Sequence, residues 1–182
     1  MPHLPIQQRW MEQKHPMPVT VAIIHRKTGD NSRYLLIRRV KEPYAGKWAL
    51  VGGKWDFGET LAESVVREVE EETGLQTSFV TLRDVVNELL VPHADADQGA
   101  HFLLFVCEVT ALTDEAKEQS EGEVGWFTVQ ELHALNMEKQ IVPTDYLMLE
   151  NCEKRPFSIP HTEAEVLSDN GVSVVHRFET IA

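Results

Sequence analysis

The sequence predicts a single domain of mixed α/β class, and three observations support this prediction. The 182 residues suffice for one well-buried core but are too few for two full domains. Residues 18–25, 33–40 and 100–110 are rich in apolar and β-branched side chains, a composition typical of strands. Residues 60–75 carry an amphipathic pattern with the start and stop signals of a helix.

The chain before this helix is predicted to form an irregular arm and a β-hairpin. Residues 1–17 are rich in Pro, Gln and His, and Trp10 is their only large anchor. The strands 18–25 and 33–40 flank the turn-rich segment 27–32, so we expect the two strands to pair.

The helix between residues 60 and 75 has well-defined ends. Thr60 is a favourable N-cap, and Glu63 three residues later completes a capping box. Gly74 followed by Leu75 is a usual way for a helix to end. Steps of 100° per residue gather four apolar side chains on one side, and we expect them to face the core: Ala62, Val65, Val66 and Val69.

Three carboxylates share another face of this helix. Glu71 and Glu72 follow Glu68 by three and four residues, so all three carboxylates lie on one face. Like charges at these spacings repel by about 0.2–0.5 kcal/mol per pair. No lysine on the helix offsets this repulsion, and we expect Arg67 to point to one side. The face is either a solvated acidic surface or a binding site for a hard divalent cation. Oxygen ligands without nearby His or Cys favour Mg²⁺ or Mn²⁺ over Zn²⁺.

The second half of the chain is predicted to add further strands and two helices. Residues 77–87 and 125–128 have strand patterns, and 100–110 is apolar enough for a central strand. A short helix capped by Thr128 follows residues 125–128. Residues 143–153 form a last helix, with three candidate core contacts: Tyr146, Leu147 and Leu149.

The C-terminal extension, residues 155–182, is predicted to contain a β-hairpin. Residues 163–167 and 172–179 flank Asn170-Gly171, the preferred dipeptide of a type I′ turn. The hairpin either adds strands that cover the fold, or serves as a homodimer edge or a lid.

Charge and composition narrow the classes of partner. The formal net charge of −12 argues against stable nucleic-acid binding. The two cysteines, Cys107 and Cys152, form no paired motif, so we expect neither a disulfide framework nor a zinc site. No apolar run is long enough to span a membrane, and the N-terminus has no signal-peptide pattern. We therefore expect a cytoplasmic protein.

Residues 53–75, GKWDFGETLAESVVREVEEETGL, resemble the Nudix box, G-x5-E-x7-R-E-U-x-E-E-x-G-U with U aliphatic. The match is complete and without gaps, at Gly53, Glu59, Arg67, Glu68, Val69, Glu71, Glu72, Gly74 and Leu75. Such a match arises by chance on the order of once in 10⁹ starting positions. The preceding GKWALVGGK is similar to MutT-type and ADP-ribose-type members, except that Val51 stands where the family usually has Pro.

The resemblance covers residues 18–150 of a single domain, 1–182, and implies the Nudix fold. This fold is an α/β/α sandwich with a mixed β-sheet, here followed by the C-terminal hairpin. The implied activity is that of a hydrolase acting on phosphoric anhydride bonds. The substrate would be a nucleoside diphosphate linked to another group X, such as a nucleoside triphosphate or an ADP-ribose-like molecule.

The resemblance also implies the roles of particular residues. Glu68, Glu71 and Glu72, with the carbonyl of Gly52, would hold Mg²⁺, for which Mn²⁺ can substitute, and Glu68 would be the base. Arg67 and Glu59 would pair to hold the helix. A later loop often adds a carboxylate, here Glu121, with Glu118 and Glu123 as alternatives.

Substrate contacts are expected from four residues: Arg38, Arg39, Lys54 and His101. One of the two arginines would bind a substrate phosphate, unless the pair is only a solvated strand end. His101 is either a substrate contact or a polar residue at the start of its strand.

Two other functions are compatible with such a fold. A nucleotide sensor without activity usually lacks box carboxylates, whereas this chain retains all of them. An isomerase of the isopentenyl-diphosphate type needs an early catalytic cysteine, and the first cysteine here is Cys107.

Overall fold

The structure is a computed structural model that describes residues 15–28, 31–42, 44–90, 99–113, 115–116, 122–155, 157–169 and 172–181. Within these ranges the elements, in order, are β1 Met17–Thr28, β2 Asn31–Arg38, β3 Trp48–Ala49, β4 Val51–Lys54, α1 Leu61–Thr73, β5 Thr77–Leu90, β6 Ala100–Ala111, β7 Val124–Thr128, α2 Val129–Met137, α3 Pro143–Lys154, β8 His161–Asp169 and β9 Val172–Ile181. The expected N-terminal anchor Trp10, the turn Asn170-Gly171, and both Glu118 and Glu121 lie outside the described residues.

Seven strands form one mixed sheet, as the Nudix resemblance implies. Its order is β3-β2-β1-β6-β5, with β4 paired to β1 and β7 paired to β2. Strands β1 and β6 are parallel, and the other pairs are antiparallel. Strand β6 therefore lies between two neighbours, as its apolar sequence predicts. Strands β8 and β9 pair antiparallel as a separate C-terminal hairpin, which confirms that prediction.

Helices cover both faces of the sheet and divide the core into two clusters. On one face α1 packs through Leu61, Val65 and Val69 against sheet residues that include Ile24 and Val109. On the other face α2 and α3 pack through side chains that include Leu132, Met148 and Leu149. This is the predicted α/β/α sandwich. None of the described helices is long and apolar enough to cross a membrane.

Helix α1 has the predicted ends but a slightly rotated core face. Thr60 and Glu63 form the capping box, and Gly74 adopts the left-handed conformation that ends the helix. Ala62 and Val66 are only partly buried, whereas Leu61 and Ser64 are fully buried. The Ser64 hydroxyl lies 3.2 Å from that of Thr20 on β1, a long-range partner that allows a polar side chain on the core face.

Helix α3 corrects one expected core contact. Leu147 is 55% exposed, while its neighbours Met148 and Leu149 are buried. The inward face of this helix is formed by residues three or four positions apart, namely Asp145, Met148, Leu149 and Cys152. Leu147 lies off that stripe.

The first hairpin also differs in its bounds from the prediction. Strand β1 continues to Thr28 and β2 begins at Asn31, so the connection is shorter than residues 27–32. Strand β2 ends at Arg38, which leaves Arg39 and Val40 in the following loop.

Candidate active site

The centre of the site is the Gly52-Gly53 segment of β4. A Cβ atom on Gly53 would lie 2.3 Å from Oε2 of Glu68, and one on Gly52 would lie 2.2 Å from the carbonyl oxygen of Thr20. At Gly52 only glycine fits, because the backbone of β1 lies in the way, whereas a Cβ atom on Gly53 would displace the Glu68 carboxylate from its present position. Sheet pairing and helix packing therefore meet at these two residues.

Two of the three predicted carboxylates converge on this segment. Besides Glu68, the side chain of Glu72 reaches it, where Oε2 accepts a 3.1 Å hydrogen bond from the amide of Gly52. The side chain of Glu68 is only 13% exposed, whereas that of Glu71 is 61% exposed. The predicted acidic face is thus divided into a buried part and a solvated part.

Arg67 links the carboxylates to the loop that precedes α1. It donates two hydrogen bonds to the Glu59 carboxylate and one of 3.1 Å to the carbonyl of Lys54. It also donates to Glu68 at 2.7 Å and to Glu71 at 3.3 Å. The expectation that Arg67 points to one side is therefore wrong, because its guanidinium offsets part of the repulsion between these carboxylates.

The environment shifts the pKa values of this network in opposite directions. Burial raises the pKa of Glu68 despite its hydrogen bond from Arg67, and nearby Glu71 and Asp56 raise it further. The hydrogen bond from Arg67 is the main cause that lowers the pKa of Glu59. Glu59 is thus a stable anchor for Arg67, whereas Glu68 is a carboxylate whose charge is disfavoured by its surroundings.

The donor set fits a hard divalent cation, although it is not assembled into a closed cage. In the part of the chain that the structure describes, no three acidic, histidine or cysteine side chains converge closely enough to hold a metal together. The available ligands are nevertheless carboxylate and backbone oxygens, which Mg²⁺ and Mn²⁺ prefer. A cation beside Glu68 would also stabilise the charge that burial disfavours.

A cavity of about 400 Å³ begins at the Gly52-Gly53 segment and extends across the sheet face that α3 covers. Gly52, Gly53, Lys54 and Glu72 contribute one part of its wall. The rest combines polar side chains with an apolar surface, from Arg39, Lys41, Tyr44, Glu88, Asp145, Val21, Leu50, Phe102 and Leu104 among others. Such a mixture is typical of a small-molecule site.

Asp145 is one of several cavity residues that the sequence did not predict. Its Oδ2 accepts a 2.7 Å hydrogen bond from the amide of Leu50. Burial raises the pKa of Asp145 to about 7, and the nearby charge of Glu88 acts in the same direction. Its position in the first turn of a helix gave no signal beyond that of an ordinary helix start.

Two of the four predicted substrate contacts line the cavity and two do not. Arg39 and Lys54 line the cavity. Arg38 does not; its Nε donates to the carbonyl of Gly46 at 3.1 Å, and its guanidinium lies 3.6 Å from Glu123. His101 is also absent from the lining, and its Nε2 lies 2.6 Å from Oδ1 of Asn87. The assignment of Glu121 stays a prediction, because that residue is outside the described ranges.

Comparisons with known proteins agree with this geometry. The family model of the NUDIX domain matches residues 15–152. The chain is 32% identical over 138 residues to an ADP-ribose pyrophosphatase of Methanocaldococcus jannaschii, a match that covers 75% of this chain and 76% of that protein. It is also 34% identical over 119 residues to a nudix hydrolase of Caenorhabditis elegans, covering 64% of this chain but only 30% of that longer protein.

A solved structure is similar over most of the chain. The crystal structure of a MutT NUDIX hydrolase from Burkholderia pseudomallei aligns with a TM-score of 0.61 at 29% identity. The alignment covers 76% of this chain and 98% of that one.

The raised pKa of Asp145 predicts how stability changes with pH. A carboxyl group whose pKa is higher in the folded state stabilises the fold at low pH, and this contribution is lost as pH rises through about 7. Asp145→Asn should therefore gain stability relative to the parent protein between pH 5 and pH 8, by at most about 3 kcal/mol.

Urea unfolding of both proteins at the two pH values measures this difference. Glu153→Gln is the matched control, because Glu153 is on the same helix and exposed. A stability difference between Asp145→Asn and the parent that is equal at pH 5 and pH 8 would contradict the prediction.

Proposed function

The chain belongs to the Nudix family of hydrolases, and from this premise we propose that it hydrolyses a nucleoside diphosphate linked to another group X. One observation carries the proposal: Glu68 and Glu72 converge on the Gly52-Gly53 backbone, and that backbone forms part of the wall of the 400 Å³ cavity. Acidic ligands for a cation and a volume for an organic ligand are thus adjacent.

The residues that would hold Mg²⁺ or Mn²⁺ are Glu68, Glu71 and Glu72, together with the backbone carbonyl of Gly52. When bound, the cation would neutralise phosphate charge and make a water molecule more acidic. Arg67 donates hydrogen bonds to both Glu68 and Glu71. On binding the cation, these carboxylates would replace some of their contacts with Arg67 by contacts with the metal.

Glu68 is our candidate for the general base. In the proposed step a water oxygen attacks phosphorus, the bridging P–O bond breaks, and Glu68 accepts a proton from the water. Glu59 and Arg67 keep the helix in place while charge at Glu68 changes.

Arg39 and Lys54 are our candidates for binding the phosphates. Both line the cavity, and in a protein of net charge −12 an anionic substrate needs such local cations. Lys54 directly follows Gly53 in strand β4.

The remaining cavity would hold the organic part of the substrate. Phe102, Leu104 and Tyr44 offer apolar and aromatic surface, while Asp145 offers a group that can donate or accept a hydrogen bond near neutral pH. The names of relatives point to two substrate classes, ADP-ribose for one relative and nucleoside triphosphates for another.

A substrate screen tests the proposed function. Nucleoside triphosphates, ADP-sugars and dinucleotides are incubated with Mg²⁺, and released phosphate, pyrophosphate or nucleoside monophosphate is measured. We expect turnover of at least one class, its loss with EDTA, and its recovery with Mg²⁺ or Mn²⁺. Tight binding without turnover would indicate a sensor instead, and full activity after removal of all divalent metal would contradict the assigned ligands.

The two neighbouring arginines provide a matched test of substrate binding. Arg39→Ala should raise KM about tenfold or more on the best substrate, because a charge-assisted contact to phosphate is lost. Arg38→Ala should leave KM nearly unchanged, since Arg38 contacts Gly46 and Glu123 rather than the cavity. Steady-state kinetics of both variants decide the assignment, and the opposite order would show that Arg38 binds the phosphate.

A further inference from the structure

The C-terminal hairpin contacts the body of the protein through alternate residues of one segment. The amide of Ile159 donates a 2.8 Å hydrogen bond to the carbonyl of Leu82 on β5. Two residues later, the His161 ring meets that of Phe79 edge-on, with ring centroids 5.5 Å apart. In an extended chain every second side chain points the same way, so the next inward residue is Glu163.

Glu163 reaches the first residue of the helix that carries the box carboxylates. Its Oε1 accepts a 3.0 Å hydrogen bond from the backbone amide of Leu61, and its side chain is only 18% exposed. The first four amides of a helix have no partner inside the helix. In α1 the Thr60 hydroxyl accepts from the amide of Glu63, and a residue 102 positions away accepts from that of Leu61.

This contact is placed to affect the active site through α1. Glu68 is two helical turns from Leu61, about 10 Å along the axis. A helix moves nearly as a rigid unit over that length, so a change at its first turn also changes where Glu68 lies. The Glu68 carboxylate occupies the position that a Cβ atom on Gly53 would need, so a shift of α1 changes this contact directly.

We propose that Glu163 is a positioning residue, through which the C-terminal hairpin sets the orientation of α1 and hence of its metal-binding carboxylates. The inference rests on the function proposed above. The hairpin is therefore neither a detached extension nor only an additional pair of strands. Its first strand supplies one hydrogen-bond partner to the catalytic helix, and it does so from outside the segment that carries the Nudix box.

The test compares three substitutions on the same strand. Glu163→Ala removes the acceptor, whereas Glu163→Gln retains a side-chain oxygen for the amide of Leu61. Glu165→Ala is the matched control, because Glu165 is on the same strand, carries the same charge and is exposed. Each variant is first shown to be folded by circular dichroism well below its melting temperature.

Two measurements do not need a substrate. Hydrogen–deuterium exchange reports the amides of the first turn of α1, and Mn²⁺ affinity is measured by electron paramagnetic resonance. In Glu163→Ala we expect exchange about tenfold faster and Mn²⁺ binding at least threefold weaker. Glu163→Gln should stay within about threefold of the parent in both, and Glu165→Ala should match the parent.

Kinetics on the best substrate supply the third measurement. Glu163→Ala should lower kcat about tenfold with KM within twofold, because the carboxylates are misplaced while the cavity is intact. Faster exchange in Glu163→Ala with unchanged Mn²⁺ affinity and unchanged kcat would overturn the positioning role and leave a purely structural one. If the parent protein turns over no substrate, the proposed function fails. Hydrogen–deuterium exchange and Mn²⁺ affinity still test the positioning role of Glu163 in that case.

Discussion

The contact between the Glu68 carboxylate and the backbone of Gly53 is the constraint on which the site depends. It places a charged group of α1 directly against strand β4, where a single additional carbon atom would lie 2.3 Å from an oxygen. The neighbouring Gly52 satisfies a second close approach, to β1, and donates its amide to Glu72. Two carboxylates of α1 therefore meet one β4 segment, and the backbone contact of Gly52 with β1 holds that segment in place.

Such an arrangement is unfavourable for stability by itself. Burial raises the pKa of Glu68, so its ionised form destabilises the folded state unless a cation is near. Arg67 supplies part of the required positive charge through its hydrogen bonds to Glu68 and Glu71. The carboxylate of Glu59 in turn binds the Arg67 guanidinium. The site thus resembles other functional sites, where groups that disfavour the fold are kept by surrounding contacts.

Local signals in the sequence were enough to predict most elements and the box itself. The capping box of Thr60 and Glu63, the terminal Gly74, and the strand patterns depend on neighbours within a few residues, so a single sequence contains them. The pairing of Arg67 with Glu59 followed from the resemblance and is present in the structure.

Contacts between distant segments could not be predicted in the same way. Ser64 is buried because Thr20 lies opposite, and Asp145 belongs to the site because the sheet brings Leu50 and Glu88 beside it. Glu163 contacts Leu61 across 102 positions. In each case the residue type is ordinary for its local element, and only the tertiary fold gives it a partner.

The most direct test of the account is the turnover of Glu68→Gln compared with Glu70→Gln. Both changes remove one charge from α1 at constant volume, but Glu70 is exposed and Glu68 lies against Gly53. We predict that Glu68→Gln lowers kcat by at least about 10²-fold, the usual scale for loss of a general base, while remaining folded. Glu70→Gln should keep nearly full activity. Equal losses in the two variants, or an active Glu68→Gln, would contradict the placement of the catalytic carboxylates.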